Sequence, residues 1–350
     1  MLPQSVLDAV ESGDPLPGTS GFAGELPDGR LARDVLGREL LYTDSGDWSH
    51  RPDDLDQPTP FPAGHVGTPD DHERVWRLPE STADGGLDAL ESALDTALDT
   101  ALDDASAGGG DAAVAFSGGV DSALVADAVD APLHVVGFPD SADVAAARES
   151  AGLLGRDVTV HELAIEDVED AVPGVARAIG RTNAMDVSIA LPLFFVAERA
   201  DADRLLLGQG ADELFGGYAK VETAESDPRT DADTVRGARD EVVGTLPAQL
   251  ERDVRAVRAT GTEPVTPLLH DAVVREALRL PDDLLVADGT RKRALRELAA
   301  DRLPDPVAYR EKKAVQYGSL VARELDRLAR QAGFKRRMDD HVTRYVESVV

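Results

Sequence analysis

The chain of 350 residues contains no cysteine, which excludes disulfides, thiolate nucleophiles and cysteine-ligated zinc or iron–sulfur centres. No apolar run approaches the length of a bilayer span. Met1-Leu2-Pro3-Gln4 lacks a basic segment leading into an apolar core, so the expected location is cytoplasmic, away from membranes. Positive charge is scarce: 66 acidic against 36 basic side chains leave a net charge of −30 and a pI near 4.5. That balance argues against a nucleic-acid partner or an anionic lipid surface. Lysine is scarcer still, at Lys220, Lys292, Lys312, Lys313 and Lys335 alone. Abundant aspartate with so little lysine reads as halophilic adaptation to molar salt, which screens charge repulsion within a few ångströms. A disordered acidic chain is disfavoured because 42% of the residues are hydrophobic and fall in periodic runs.

The stretch that organises the rest is Val114-Ala115-Phe116-Ser117-Gly118-Gly119-Val120-Asp121-Ser122. Asp111 to Phe116 reads as a short buried strand and Ser122 to Val129 as the start of a helix. In the turn between them, Gly118 and Gly119 permit close approach of the backbone to a ligand and φ values that other residues avoid. The next helix aims its first N–H groups at whatever fills the turn, a geometry that holds an anion. Ser117 and Ser122 add hydroxyl donors suited to a polyphosphate. Asp121 would repel such a ligand unless a divalent cation lay between, which makes it a candidate magnesium ligand. A plain strand–turn–helix corner with a capping aspartate is the alternative.

Ser117-Gly118-Gly119-Val120-Asp121-Ser122 resembles the SGGxDS loop of the ATP pyrophosphatases, which cleave ATP between the α and β phosphates and activate a carboxylate or carbonyl with the AMP. Among these enzymes a second block is selective. Gly208-Gln209-Gly210-Ala211-Asp212-Glu213-Leu214-Phe215-Gly216-Gly217-Tyr218 is similar to the G-x-G-x-D-E-x-F-G-G-Y block of asparagine synthetases. Physically, a buried strand delivers Gly208 and Gly210 to a tight turn followed by two carboxylates. Asp212 is the candidate second magnesium ligand, partner to Asp121, because a leaving pyrophosphate gathers charge that must be neutralised. Capping of the next helix by Asp212 and Glu213 is the alternative. The position after Gly208 is usually Glu or Asp in the family, where a Glu is thought to accept a proton from the attacking ammonia. Here it is Gln209, whose amide can hydrogen-bond but cannot act as a base, and Glu213 is the available substitute.

Two further segments carry the resemblance. Val136-Gly137-Phe138-Pro139 is similar to the family's second strand end, where backbone groups meet the adenine. Arg310-Glu311-Lys312 is similar to its R-x-K, whose lysine, here Lys312, stabilises charge on the phosphates. A solvated basic turn is the bland alternative for that pair of lysines.

Residues 1–85 read as a small β-rich unit, with candidate strands at Gly21 to Leu26, Leu31 to Asp34, Glu39 to Tyr42 and Val75 to Leu78. Arg33-Asp34-Val35-Leu36-Gly37-Arg38-Glu39-Leu40-Leu41-Tyr42 resembles the R-D-x-L-G-x-x-P-L-Y stretch of the asparagine synthetase glutaminase domain, with Glu39-Leu40 in place of Arg/Lys-Pro. Phe61-Pro62-Ala63-Gly64-His65 resembles the F-P-x-G-x that follows it. The resemblance implies a truncated glutaminase-like region without its nucleophilic cysteine, so glutaminase activity is not expected. An unrelated β-meander is the alternative.

Residues 86–350 then form the synthetase-like domain. Leu87, Leu90, Leu94 and Leu98 share one helical stripe, and Ala107 to Gly110 end that helix. Leu133 to Phe138, Val158 to Leu163 and Arg204 to Gly208 are further strands, with a helix over Asp143 to Leu154. His134 and His161 fall in strand patterns as packed or edge histidines. Ser226 to about Asp240 reads as an acidic irregular loop, followed by helical patterns at Leu246 to Val257, Leu268 to Leu278 and Lys292 to Leu298. Strands alternating with helices give the fold class, α/β with a parallel sheet covered by helices on both faces and ligands at the carboxyl ends of the strands, and the resemblance implies that it is of the ATP pyrophosphatase type.

The family likeness implies an ATP- and magnesium-dependent carbon–nitrogen ligase. A small-molecule carboxylate, aspartate in the family, would be adenylated and pyrophosphate released. Ammonia, free or from a separate glutaminase subunit, would complete the amide. An ATP pyrophosphatase acting on a tRNA or another metabolite, and a nucleotide-binding protein without catalysis, are the competing readings. The acceptor pocket is expected along Asp186 to Phe195 and the acidic loop, where nothing in Asp186-Val187-Ser188-Ile189-Ala190 identifies aspartate.

Overall fold

The computed structural model describes residues 2–106, 109–311 and 315–350. The chain forms two compact units, each assembled from separate stretches. One comprises residues 98–208, 252–265 and 296–350, the other residues 1–97, 209–251 and 266–295. This division follows packing and is a different one from the division by resemblance at residues 85 and 86.

The first of these units is built on five parallel strands: β1 Ala112–Ala115, β2 Leu133–Gly137, β3 Val158–Glu162, β4 Arg204–Leu206 and β5 Glu263–Val265. Their order across the sheet is β3-β2-β1-β4-β5. The chain builds outward from β1 to β3, then crosses to the far side of β1 to lay down β4 and β5. The order therefore reverses between β1 and β4, the switch point beside whose carboxyl ends open α/β sheets bind their ligands. The expected α/β class with a helix-covered parallel sheet is the observed one.

Helices α1 Val120–Ala128 and α2 Ala142–Leu153 pack beside β1 and β2. The opposite face carries α3 Ile165–Ile179 and α4 Ala184–Ala200, whose Val168, Val172, Val175, Val187, Leu191 and Phe195 close over Ala113, Val136 and Leu205. Alternation along the strands sends neighbouring side chains to opposite faces, so an apolar run is needed where both faces are covered. Ser141 caps α2 by accepting from the Val144 amide, and Asn183 caps α4 by accepting from the Asp186 amide. Gly180, with φ 67, ends α3 in the left-handed conformation. His134 and His161 meet across β2 and β3, ring nitrogens 2.9 Å apart, and burial lowers the pKa of both.

The other unit holds the small antiparallel sheets. Ala23–Glu25, Leu31–Arg33, His65–Gly67 and His72–Arg74 make one, and Asp47–Ser49, Tyr42–Asp44 and Thr59–Pro60 another. The expected β-rich character of the amino-terminal region is present, with three corrections. A helix, Gln4–Ser12, precedes the strands and buries Val6 and Ala9. The strand expected over Glu39 to Tyr42 begins only at Tyr42, because Glu39 is held back by the Arg33 guanidinium on its carbonyl. The strand expected over Val75 to Leu78 lies earlier, at His72–Arg74. Val75 and Trp76 instead both donate their amides to the Gly64 carbonyl, which ends the ladder.

The stretch expected to be irregular up to Asp240 contains a helix, Val235–Val243, capped by Thr234 and burying Ala238, Arg239, Val242 and Val243. The helix expected to carry the Leu87, Leu90, Leu94 and Leu98 stripe and to end at Ala107 to Gly110 spans Leu87–Ser106. Among the described residues, no helix is long and apolar enough to cross a membrane.

Candidate functional site

The turn after β1 has the geometry of an anion cradle. Gly118 takes φ 74, and a Cβ there would lie 2.5 Å from the Ala146 backbone, so a side chain is excluded on both grounds. Gly119 is different from expectation. It is extended, φ −84 and ψ 164, and serves as the N-cap of α1 without any side chain to cap the first amides. Those amides face the turn. Ser122 is buried, and its hydroxyl donates to the Gly119 carbonyl at 3.2 Å and meets the Ser117 hydroxyl at 3.2 Å. It braces the loop from inside, while Ser117 stays half-buried at the turn. From α2, Ser150 donates to the Gly118 carbonyl at 2.8 Å. Asp121 sits half-buried in the first turn of α1. Val136, nearly buried, precedes the end of β2.

The end of β4 reaches the same turn. A Cβ on Gly208 would fall 2.8 Å from the Asp121 carbonyl carbon, its Cβ and the Ser122 amide. The two motif blocks, 86 residues apart counted from Ser122 to Gly208, thus start from adjoining strand ends at the switch point.

Past Gly208 the chain enters the other unit. Gln209 is half-buried. Gly210, at φ 93, is the N-cap of the short helix Ala211–Leu214, and no side chain caps it, so Asp212 and Glu213 lie in the first turn as acids rather than as caps. Asp212 is half exposed and ion-paired with Lys292, Nζ to Oδ1 2.7 Å. Glu213 is buried, and burial followed by the charge of Asp212 pushes its carboxyl up to about 7. The Tyr218 hydroxyl donates to Glu213 Oε1 at 2.6 Å.

Lys292 is the residue that motif reading passes over. It follows the hairpin of Val286–Ala287 and Thr290–Arg291, whose turn residues Asp288 and Gly289 have φ 52 and 75. Lys292 has φ 56, buries all but 7% of its surface and still keeps its ammonium against Asp212. A left-handed backbone at a buried lysine is held only by what surrounds it and marks a candidate functional position. Its neighbour Arg291 donates to the Gly217 carbonyl at 2.9 Å. The signal was available: an Asp-Gly turn directly ahead of one of five lysines.

The structure thus brings Asp212, Glu213, Tyr218 and Lys292 together in one unit, and Ser117, Gly118, Gly119, Asp121, Ser122 and Gly208 together in the other. Lys312 lies outside the described residues. Among the described residues, no group of three or more His, Asp or Glu forms a protein-made metal cage. Magnesium dehydrates reluctantly and takes one or two carboxylates together with phosphate oxygens and water, a demand that carboxylates such as the half-buried Asp121 and the half-exposed Asp212 fit. An uncapped helix N-terminus behind a glycine turn fits the phosphates themselves.

Fold and loop together define an α/β protein of the ATP pyrophosphatase type. The chain belongs to the asparagine synthase family, whose model matches residues 93–241 and 224–347. It is 30% identical over 274 residues to a protein of Methanocaldococcus jannaschii named as a glutamine-hydrolysing asparagine synthetase 1, covering 67% of this chain and 50% of that protein. It is 29% identical over 191 residues to asparagine synthetase B of Escherichia coli strain K12, covering 52% of this chain and 33% of the relative. With the asparagine synthetase of Mus musculus it shares 27% identity over 223 residues, 58% of this chain and 38% of the relative. The chain spans half or less of the length of these relatives.

Proposed function

We propose that this chain is an asparagine synthetase-like, cytoplasmic ATP-dependent ligase that adenylates a carboxylate, aspartate first among candidates, releases pyrophosphate and forms an amide with ammonia. The observation that carries this reading is Gly208 pressed against Asp121 and Ser122, because it joins the phosphate turn to the start of the acidic block. Chain continuity then carries Asp212 to within four residues of that junction.

The α1 amides and the Ser117 hydroxyl orient the triphosphate, and Gly118 lets the backbone approach it. Asp121 and Asp212 would hold magnesium, which supplies positive charge to the phosphate oxygens. Lys292 fixes the direction of Asp212 and offsets the charge of the acid pair. Val136 and the end of β2 border the adenine, and the R-x-K resemblance gives Lys312 the role of stabilising charge on the phosphates. Gln209 offers only hydrogen bonds where a base is usual in the family, so proton acceptance from the incoming amine falls to Glu213, supported by Tyr218. With no thiol in the chain, nitrogen arrives as ammonia, either free or from a separate glutaminase subunit.

The test is pyrophosphate release from ATP with magnesium, aspartate and ammonium in molar KCl. The reading expects AMP, pyrophosphate and asparagine in equal amounts. Absence of any amide with ammonium across a panel of carboxylates would remove the amide-forming part. Gln209 favours a second reading, a nucleotide-binding protein without turnover, which predicts ATP binding by calorimetry and no cleavage.

A further inference from the structure

Building on the site proposed above, we infer that Arg38, in the amino-terminal β-rich segment, is a positioning residue for Asp212 and Glu213. Arg38 is buried, and its planar fork of donors is set among three partners. Nε donates to Asp34 Oδ1 at 2.9 Å, Nη2 pairs with Asp271 Oδ1 at 2.7 Å, and Nη1 donates to the Leu269 carbonyl at 2.7 Å. Asp271 is gripped from the other side by the amide and hydroxyl of Thr19, at 2.8 and 3.1 Å. The result is a knot between the amino-terminal segment and residues 269–271.

Leu269 passes that knot on. Its side chain lies directly against Gly210, where an added Cβ would sit 2.4 Å from Cδ2. Gly210 is the left-handed residue that starts the turn bearing Asp212 and Glu213. The far end of the same turn is held by the fully buried Arg239, which donates to the Leu214 carbonyl at 3.0 Å. The acid pair therefore stands between two buried arginines, one acting through Leu269 and one directly. Arg33 provides the contrast. It is equally buried, yet its donors go to the carbonyls of Glu39, Phe61 and Gly37, all within the amino-terminal segment. The segment that resembles part of a glutaminase domain thus acts as a buttress for the synthetase turn.

The experiment compares Arg38→Lys, which keeps the charge and loses the fork, with Leu269→Ala and with Arg33→Lys as the buried control, all in the full chain. Hydrogen exchange of the amides of residues 209–217 and the kinetics of pyrophosphate release are measured on each. Arg38→Lys and Leu269→Ala should both speed exchange across 209–217 and lower kcat about 10- to 100-fold with KM for ATP unchanged, the cost of a displacement near 1 Å at a reacting group. Arg33→Lys should lose stability without either effect. Folded Arg38→Lys and Leu269→Ala proteins that match Arg33→Lys in exchange and in kcat would overturn the inference. Should the wild-type chain release no pyrophosphate, the ligase reading fails, and the exchange comparison alone decides the role of Arg38.

Discussion

Glu213 is a carboxyl group placed where ionisation is costly. Burial and the neighbouring Asp212 raise its pKa to about 7, against the opposing pull of Tyr218 and Lys292. The unfolded chain releases this proton near 4.5 and the folded chain holds it to about 7, so the unfolded state binds fewer protons across that window. Stability therefore falls as pH rises from about 4.5 to about 7 and levels off above. Glu213→Gln removes the penalty: the variant should be the more stable protein at pH 8, by on the order of 3 kcal/mol, with no difference below pH 4.5. Urea melts at the two pH values check this, and equal stability at both would show that the carboxyl is solvated. The same variant should lose amide formation, since it leaves no base beside Gln209. Lys292 makes a second prediction at this scale. Lys292→Met removes the ammonium paired with Asp212 and should lower pyrophosphate release at least about 10-fold, measured as kcat/KM for ATP. Activity unchanged would make the ion pair a surface ornament.

At the scale of elements, β1, β2, β3 and β4 are legible because each is a short apolar run bounded by turn residues, and the phosphate turn announces itself in Ser117 to Ser122. β5 is not legible. It is three residues long, carries Pro264 in its centre and sits at the sheet edge, the one place a strand tolerates proline. α4 is hidden for a different reason: Val187, Ile189, Ala190, Leu191, Leu193, Phe194 and Phe195 leave no polar face to give a helical period, and Pro192 interrupts the pattern. The helix Val235–Val243 is masked by the acidic residues around it, and its buried Arg239 reads in sequence as surface charge. In the site, the glycine turns and the acids could be read from their motif, whereas Lys292 belongs to no motif: the Asp288-Gly289 turn hints at the hairpin before it, but its left-handed backbone and its pairing with Asp212 are set by tertiary packing. At this scale Gly118→Ala should abolish ATP binding in calorimetry, because its left-handed φ and the Ala146 backbone both reject a methyl group. ATP affinity equal to that of the unaltered chain would show that the turn is not the phosphate cradle.

The whole molecule carries a net charge of −30. Repulsion among exposed carboxylates opposes compaction, and salt relieves it, with a Debye length of about 3 Å at 1 M. The thermal midpoint should climb steadily between 0.1 and 2 M KCl, as followed by circular dichroism on the full chain. A midpoint indifferent to salt would contradict the halophilic reading.

The proposed ligase reading, which rests on membership in the asparagine synthase family and on the glycine turn at the switch point of the parallel sheet, turns on one bond, the one between the α and β phosphates of ATP. The most direct measurement is phosphorus NMR of the products formed from ATP, magnesium, aspartate and ammonium in molar KCl, alongside Asp121→Asn and Asp212→Asn. AMP and pyrophosphate from the unaltered chain, with neither from either variant, is the predicted result. ADP and orthophosphate, or undiminished turnover in both variants, would contradict it.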